Sequence, residues 1–193
     1  MSKVIYDMST SLDGFVVATG STPEEPLGKG GERLHEWAMG GDEAAHGLMD
    51  SAGSEAGAYI CGRRTYDDSL RWWGADGPTG ARRLPLFVVT HRSPEDAPGN
   101  SVYTFVTDGI ESALRQAREV AGGQDIFVMG GPDLGRQFIR AGLVDHIGVH
   151  VVPVLFGGGK RFIDDIGDGH IGLEVVSVVD TPLATHILYR IVK

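Results

Sequence analysis

Ile126-Phe127-Val128-Met129-Gly130-Gly131-Pro132-Asp133-Leu134-Gly135 decides the fold, because it joins a short apolar run to a glycine turn and then to a helical pattern. Apolar residues that stop at glycine are what a buried parallel strand needs where it turns into a helix. The glycines are spaced much as in a dinucleotide fingerprint. Two observations exclude the doubly wound form of that motif. Too little chain follows, and about 20 residues on stands His150 instead of the acid that would hold a ribose.

Working outward, the same pattern recurs. Ala58-Tyr59-Ile60-Cys61 ends at Gly62 and predicts a buried strand feeding a helix that begins near Arg64, and Leu86 to Thr90 repeats the run. Trp72-Trp73-Gly74 through Gly80 reads as loop, and Val102 to Val106 as a further strand. Ile110, Ala113, Leu114, Ala117 and Val120 fall at helical spacing, and Gly122-Gly123 stops that helix. Leu134 to Ala141 is predicted helical. Upstream, Val4 to Met8 opens the sheet, bends at Leu12-Asp13-Gly14 and resumes at Phe15 to Val17. Ala18 to Gly31 lacks periodicity and reads as a long loop, followed by helices over Glu32 to Met39 and Asp42 to Ala52, with Asp42 as N-cap. Beyond residue 145 the chain is strand: His146 to Leu155, Leu173 to Val179 and Thr185 to Val192, the last two joined at Asp180-Thr181-Pro182. The expected class is α/β, a mostly parallel central sheet with antiparallel C-terminal strands and flanking helices, in one domain over residues 1–193.

Composition narrows the function. Hydrophobic residues make up 41% and charged residues 22%, ordinary globular usage. A net charge of -9 repels a nucleic-acid backbone, so no nucleic-acid partner is expected. Cys61 is the only cysteine, which excludes an internal disulfide and a cysteine-based zinc site and fits a reducing compartment. No apolar stretch approaches a spanning length, so no membrane association and a cytoplasmic location are expected.

Three predicted strand ends carry residues with chemistry, and such ends are where open α/β sheets collect ligands. Gly62-Arg63-Arg64-Thr65-Tyr66 offers close backbone approach, two guanidinium groups for phosphate and a hydroxyl; an Arg-Arg pair simply solvated at a helix start is an equal alternative. Thr90-His91-Arg92 can surround a further phosphate, although alone it reads as a turn. The third is the Gly130-Gly131 turn. Gly157-Gly158-Gly159 is no P-loop, since Val154 and Arg161 occupy the places of its first glycine and its hydroxyl. His146 and His150 lie on one strand face about 13 Å apart, too far to share a metal, and read as surface or interface residues. His35, His46, His170 and His186 show no ligand spacing, so no metal is expected. Cys61 reads as inert core, and no G-x-S-x-G hydrolase elbow is present.

In this order and spacing the segments resemble the dihydrofolate reductase superfamily, in its branch similar to the reductase domain of riboflavin biosynthesis. The segments are Ser11-Leu12-Asp13-Gly14-Phe15-Val16, Gly62 to Tyr66, Val89 to Arg92, Met129 to Leu134, and Leu143-Val144-Asp145 leading through Val152 to Gly159. The resemblance implies NADPH as cofactor. Arg63 and Arg64 with His91 and Arg92 would surround the adenosine 2′-phosphate, and Thr65 with the amides of Gly131, Pro132's neighbour Asp133 and Leu134 would hold the pyrophosphate. Gly62, Thr90, Met129 and Gly130 complete the cofactor cradle, and the nicotinamide would lie near Val17 and Ala18. The family's peptide between paired glycines is cis, which here falls at Gly130-Gly131.

The departures concern the substrate. Leu34 stands near the place of the family's helix carboxylate, with Trp37 aligned to a helix tryptophan. Glu32 or Glu36 could substitute only from a shifted helix. Met129 replaces the glutamate usual before the glycine pair, and the Asp-Asn-Pro tripeptide is missing. Hydride transfer to a C=N or C=O bond of a small heterocyclic substrate, pterin- or pyrimidine-like, is the expected reaction. Asp13 and Glu36 are the candidate catalytic acids, and Ala18 to Gly31 a lid. Asp13 could equally serve only to form the turn before Gly14. A non-catalytic NADPH-binding or sensor protein is the alternative. Valine-rich late strands with no covering helix predict a two-fold homodimer, unless those valines complete a central strand.

Overall fold

In a computed structural model of the chain, residues 2–167 and 169–193 are described; Met1 and Asp168, the other positions of the expected domain, lie outside them. Alternation fixes the first strand, β1 (Val4–Ser11). Val4 and Tyr6 are packed on one side, while Ile5 and Ser9 are buried on the other. A turn closed by the Ser11 hydroxyl, which accepts from the Phe15 amide at 2.9 Å, leads into β2 (Phe15–Val17). A 3-10 turn (Gly31–His35) and α1 (Glu36–Met39) follow, where a single helix over Glu32 to Met39 was expected; the longer α2 (Glu43–Glu55) comes next. The extended Gly40 ends α1, and the Asp42 carboxylate accepts from the Ala45 amide at 2.9 Å to start α2.

The strand–helix units come next: β3 (Ala56–Gly62), α3 (Arg63–Trp73), β4 (Leu86–Val89), β5 (Tyr103–Val106), α4 (Ile110–Val120), β6 (Asp125–Met129) and α5 (Pro132–Arg140). Two boundaries differ from expectation for identifiable reasons. Helix α3 runs through Trp72 and Trp73, because Trp73 packs with Tyr66 and Leu86 and the Arg71 guanidinium lies 3.8 Å over the Trp72 ring. Helix α5 begins at Pro132, where the missing N–H belongs to a first turn that would leave it unpaired.

The chain finishes as β7 (His146–Val152), the short β8 (Lys160–Arg161), β9 (Leu173–Asp180) and β10 (Thr185–Ile191). Strand β7 stops at Val152, before Pro153, three residues short of the expected Leu155. The sheet has eight strands in the order β5-β4-β3-β6-β1-β7-β10-β9. Strands β5 through β7 are mutually parallel, β10 is antiparallel to β7 and β9 antiparallel to β10, as expected from the helix-free final third. Strands β2 and β8 form a separate antiparallel pair.

Helices α4 and α5 cover one face, with Leu114, Phe138 and Ile139 packed on Val4, Tyr6, Ala58, Ile60, Ile126 and Val128. On the opposite face Tyr66 of α3 packs with Cys61, Leu86 and Val88. Further along that face Leu34, Trp37 and Ala45 close over Val152 and Ala184. Burial pushes the Cys61 thiol pKa up, which makes it an inert core side chain. No helix among the described residues is long and apolar enough to cross a membrane.

Candidate active site

Strands β3 and β6 are neighbours, with Tyr59 beside Phe127 and Ile60 beside Val128, yet their following helices leave to opposite faces of the sheet. A crevice opens between such helices at the strand ends, with two sets of first-turn N–H groups facing it. The predicted glycines explain how closely the walls approach. A Cβ on Gly130 would stand 2.3 Å from Thr65 Cγ2, and one on Gly62 would stand 4.0 Å from Leu134 Cβ. Gly130 and Gly131 have φ of +66° and +67°, the left-handed region in which glycine alone is unstrained. Their peptide is trans, since no cis bond is present among the described residues; the turn is made by two positive φ angles rather than by the expected cis link.

The cationic residues Arg63, Arg64, His91 and Arg92 follow the C-terminal ends of the neighbouring strands β3 and β4. Arg63 donates from Nη1 to the Arg92 carbonyl at 3.2 Å and from Nε to Asp67 at 2.7 Å. Arg64 reaches Asp68 at 3.5 Å and Ser21 Oγ at 3.3 Å. Thr90 Oγ1 donates to the Arg92 carbonyl at 2.8 Å and accepts from the Arg92 amide at 3.3 Å, leaving His91 and Arg92 exposed. In the first turn of α5 Pro132 and Leu134 are buried, while Asp133 is exposed and paired with Arg136. Val17 and Ala18 sit at the end of β2, where Gly159 approaches so closely that a Cβ would lie 1.9 Å from the Val17 carbonyl oxygen. The segment Ala18 to Gly31 folds back on itself through Ala18 N–H to Leu27 O and Lys29 N–H to Thr19 O. Arg71 ties it to α3 through the Glu24 carbonyl.

The candidate acids are placed differently. Asp13 accepts from Ser11 Oγ at 2.6 Å, from the Phe156 amide at 3.0 Å and from the Gly157 amide at 2.7 Å. The Ser11 hydroxyl first, then those amides, hold its carboxyl down to about 2, so it is an ionised clamp on the glycine loop after β7. Glu32 and Glu36 are exposed, whereas Leu34 and Trp37 of the same segment are buried.

A group of polar residues that local spacing does not reveal occupies the α1 side of the sheet. Asp7, Ser9, His150 and His186 share this face, brought together by β1, β7 and β10 in register. His150 Nε2 lies 3.1 Å from Asp7 Oδ1, and His150 Nδ1 lies 2.7 Å from His186 Nδ1. Trp37 covers both rings at 4.3 and 4.6 Å and donates its Nε1–H to Ser9 Oγ at 3.0 Å. His150, expected as a surface or interface residue, has 16% of its side chain exposed and meets His186, which is 4% exposed: residues 36 positions apart are joined by strand pairing. Burial and then the His150 ring keep the His186 pKa below its usual value, and the same two causes in the same order lower His35. Among the described residues no three His, Cys, Asp or Glu side chains converge as a metal site. The one local signal was Asp7 itself, a carboxylate inside an otherwise buried strand.

An eight-stranded, mainly parallel sheet with an antiparallel C-terminal edge and a glycine-walled crevice between opposed helices defines the dihydrofolate-reductase-like class of α/β proteins. The chain belongs to the RibD C-terminal domain family, which matches residues 2–182. It is 37% identical over 178 residues to riboflavin biosynthesis protein RibD of Mycobacterium tuberculosis, an alignment covering 89% of this chain and 48% of that protein. The chain thus spans about half the length of that relative. A putative riboflavin biosynthesis protein from Shewanella has the same fold, with a TM-score of 0.74 at 18% identity and full coverage of both chains. Dihydrofolate reductase from Enterococcus faecalis, complexed with NADP(H), gives 0.61 at 14% identity, covering 99% of this chain and 97% of that one.

Proposed function

We propose that the chain is an NADPH-dependent reductase acting on a C=N or C=O bond of a small heterocycle, pyrimidine- or pterin-like. The observation that carries this reading is the crevice between α3 and α5, where Thr65 packs against Gly130 and leaves no room for a side chain. Two helix N-termini facing one gap suit a pyrophosphate, and the rim arginines suit one further phosphate. When bound, NADPH supplies the hydride. The protein's part is to hold phosphates with Thr65 and the amides of Gly131, Asp133 and Leu134, to place Arg63, Arg64, His91 and Arg92 about the 2′-phosphate, and to exclude water with the segment Ala18 to Gly31. Met129, Gly62, Thr90, Val17 and Ala18 shape the floor of the cleft.

Strand β9 is one of the two edges of the sheet, and Val175, Val176 and Val178 are exposed on its two faces. We assign it to a two-fold homodimer interface. The single buried thiol fits work in a reducing cytoplasm.

The exposure of Glu32 and Glu36 favours a second reading, a sensor that binds the cofactor and turns nothing over. Cofactor binding and turnover separate the two. Each charge-assisted contact to the 2′-phosphate is worth about 1.5–3 kcal/mol, so NADPH should bind at least ten-fold more tightly than NADH by tryptophan fluorescence. Equal affinities refute the arginine assignment. Clear NADPH binding without oxidation by any ribosylaminopyrimidine, pterin, quinone or imine favours the sensor.

A further inference from the structure

The Asp7–His150–His186 group lies outside the cofactor crevice but borders it. In the sheet register Asp7 pairs with Met129, the residue just before the Gly130-Gly131 turn, on a neighbouring strand about 4.8 Å away. Asp7 is half-buried, with 34% of its side chain exposed, and His150 is its only hydrogen-bond partner among the described residues. Its other oxygen, Oδ2, occupies space that exists because residue 148 is glycine, since a Cβ there would stand 2.1 Å away.

At the far end His186 Nε2 lies 3.1 Å from Thr181 Oγ1, whose hydroxyl proton is donated to the Ala184 carbonyl at 2.8 Å. Thr181 and Ala184 line a surface depression of about 290 Å³ together with Leu12, Val151, Pro153 and Thr185. A nearly inaccessible imidazole therefore has both ring nitrogens engaged, one toward the depression and one toward His150. The direct approach of two Nδ1 atoms requires one to donate and the other to accept, which excludes two imidazolium rings facing each other at that distance.

We propose that Thr181, His186, His150 and Asp7 form a proton relay from the depression to the substrate, with Asp7 as the acid that protonates the reduced heteroatom. The proposal rests on the reductase reading above. As the substrate carbon gains a hydride, its π pair moves onto the nitrogen or oxygen, which takes a proton from the Asp7 carboxyl. His150 gives its Nε2 proton to Asp7, His186 gives its Nδ1 proton to His150, and Thr181 turns its hydroxyl proton from the Ala184 carbonyl to His186 Nε2 and recovers one from the bulk solvent. One proton enters and one leaves. Both rings end as the opposite neutral tautomers, and exchange with water in the open cleft restores them after product release. Asp7 is then the catalytic residue, and the histidines act through it. The relay serves the moment when bound substrate keeps water from Asp7.

The surroundings disfavour a proton on His186. His186 faces His150 and, at longer range, the carboxylates of Asp7 on β1, Asp42 at the start of α2 and Asp180 at the end of β9; burial outweighs them. Burial, and then the His150 ring, lower the pKa of His35 of the 3-10 turn as well. Trp37 shields the pair from water at its open side.

The test combines a measurement that needs no substrate with one that does. Long-range proton–nitrogen NMR of ring-labelled histidines is recorded between pH 5 and 8 for the wild-type protein, Asp7→Asn, His150→Gln and His186→Gln. The relay predicts opposite assignments at the two facing Nδ1 atoms, one protonated and one bare. The two rings together take up a single proton across that range, and His150 Nε2 moves in Asp7→Asn. Two rings that titrate independently with the same tautomer, unaffected by Asp7→Asn, overturn it. With a ribosylaminopyrimidine as probe substrate, Asp7→Asn should lose about 10²–10⁴-fold in kcat, the range for general acid catalysis, at unchanged NADPH affinity. Thr181→Val should reduce kcat less and alter its pH profile and solvent deuterium effect. Unchanged kcat and pH profile in all variants refute the relay, whereas absence of NADPH binding in the wild-type protein refutes the reductase reading and leaves the NMR result standing.

Discussion

Replacing Gly130 by alanine probes the crevice most directly. Gly130 has φ of +66°, a region that costs an L residue about 1–2 kcal/mol. The new Cβ would also stand 2.3 Å from Thr65 Cγ2 and 2.6 Å from Thr65 Oγ1. Overpacking of that kind costs roughly 1–3 kcal/mol, so the expected loss is about 2–5 kcal/mol in all. Gly131 provides the control. Its φ is +67°, but an added Cβ would meet only Thr65 Oγ1 at an ordinary 3.5 Å, leaving the backbone cost of about 1–2 kcal/mol. Urea unfolding of both variants, alone and combined with Thr65→Ala, separates the two contributions. Thr65→Ala removes both colliding atoms, so the excess cost of Gly130→Ala over Gly131→Ala should largely vanish in that background. For a chain of this size each kcal/mol also moves Tm by about 2–4 °C, which makes the difference visible thermally. Cofactor affinity should fall with Gly130→Ala, because the helix N-termini that face the gap would be forced apart. Equal losses for the two glycines, in both backgrounds, would refute the steric account and with it the close fit of Thr65 to the turn.

Three further outcomes are expected. Light scattering of the wild-type chain at micromolar concentration should give twice the 20.6 kDa of one chain, and Val176→Lys with Val178→Lys should give that single-chain mass; a monomeric wild-type protein rules out the dimer. The Asp13 carboxyl is held at about 2 against an ordinary 3.8, so its contribution is complete above the ordinary value and is lost as pH falls toward 2. Asp13→Asn should flatten the acid limb of the unfolding curve, and an unchanged limb contradicts the clamp. His35, His146 and His186 have folded pKa values lowered from 6.5, in each case first by burial, so the folded state binds fewer protons than the unfolded chain. Stability should be full above that pH and decline as pH falls below it, with a smaller slope in His186→Gln; a flat urea midpoint between pH 7.5 and 5.5 contradicts this.

Much of the fold was written in local pattern. Apolar runs ending in glycine marked β3 and β6, five apolar positions at helical spacing marked α4, and the helix-free final third marked the antiparallel edge. These signals are legible because a strand and a helix bury different periodicities of one short segment. The glycine turns after β3 and β6 were legible for the same reason, since Gly62 and Gly130 follow their strands directly. What the sequence left open was set by contacts between distant segments. Trp72 and Trp73 became helical because Trp73 found a place against Tyr66 and Leu86. Asp13 became a clamp because the loop after β7 brings two amides to it from more than 140 residues away. Asp7, His150 and His186 carry no common spacing, because a sheet pairs residues by register across strands and not by distance along the chain. The sequence by itself therefore determined a mostly parallel sheet with an antiparallel C-terminal edge and the glycine turns at its strand ends. Only tertiary packing decided how far each acid is exposed, since Glu36 is left at the surface where Trp37 and Leu34 of its segment find apolar neighbours, and Asp7 is half-buried.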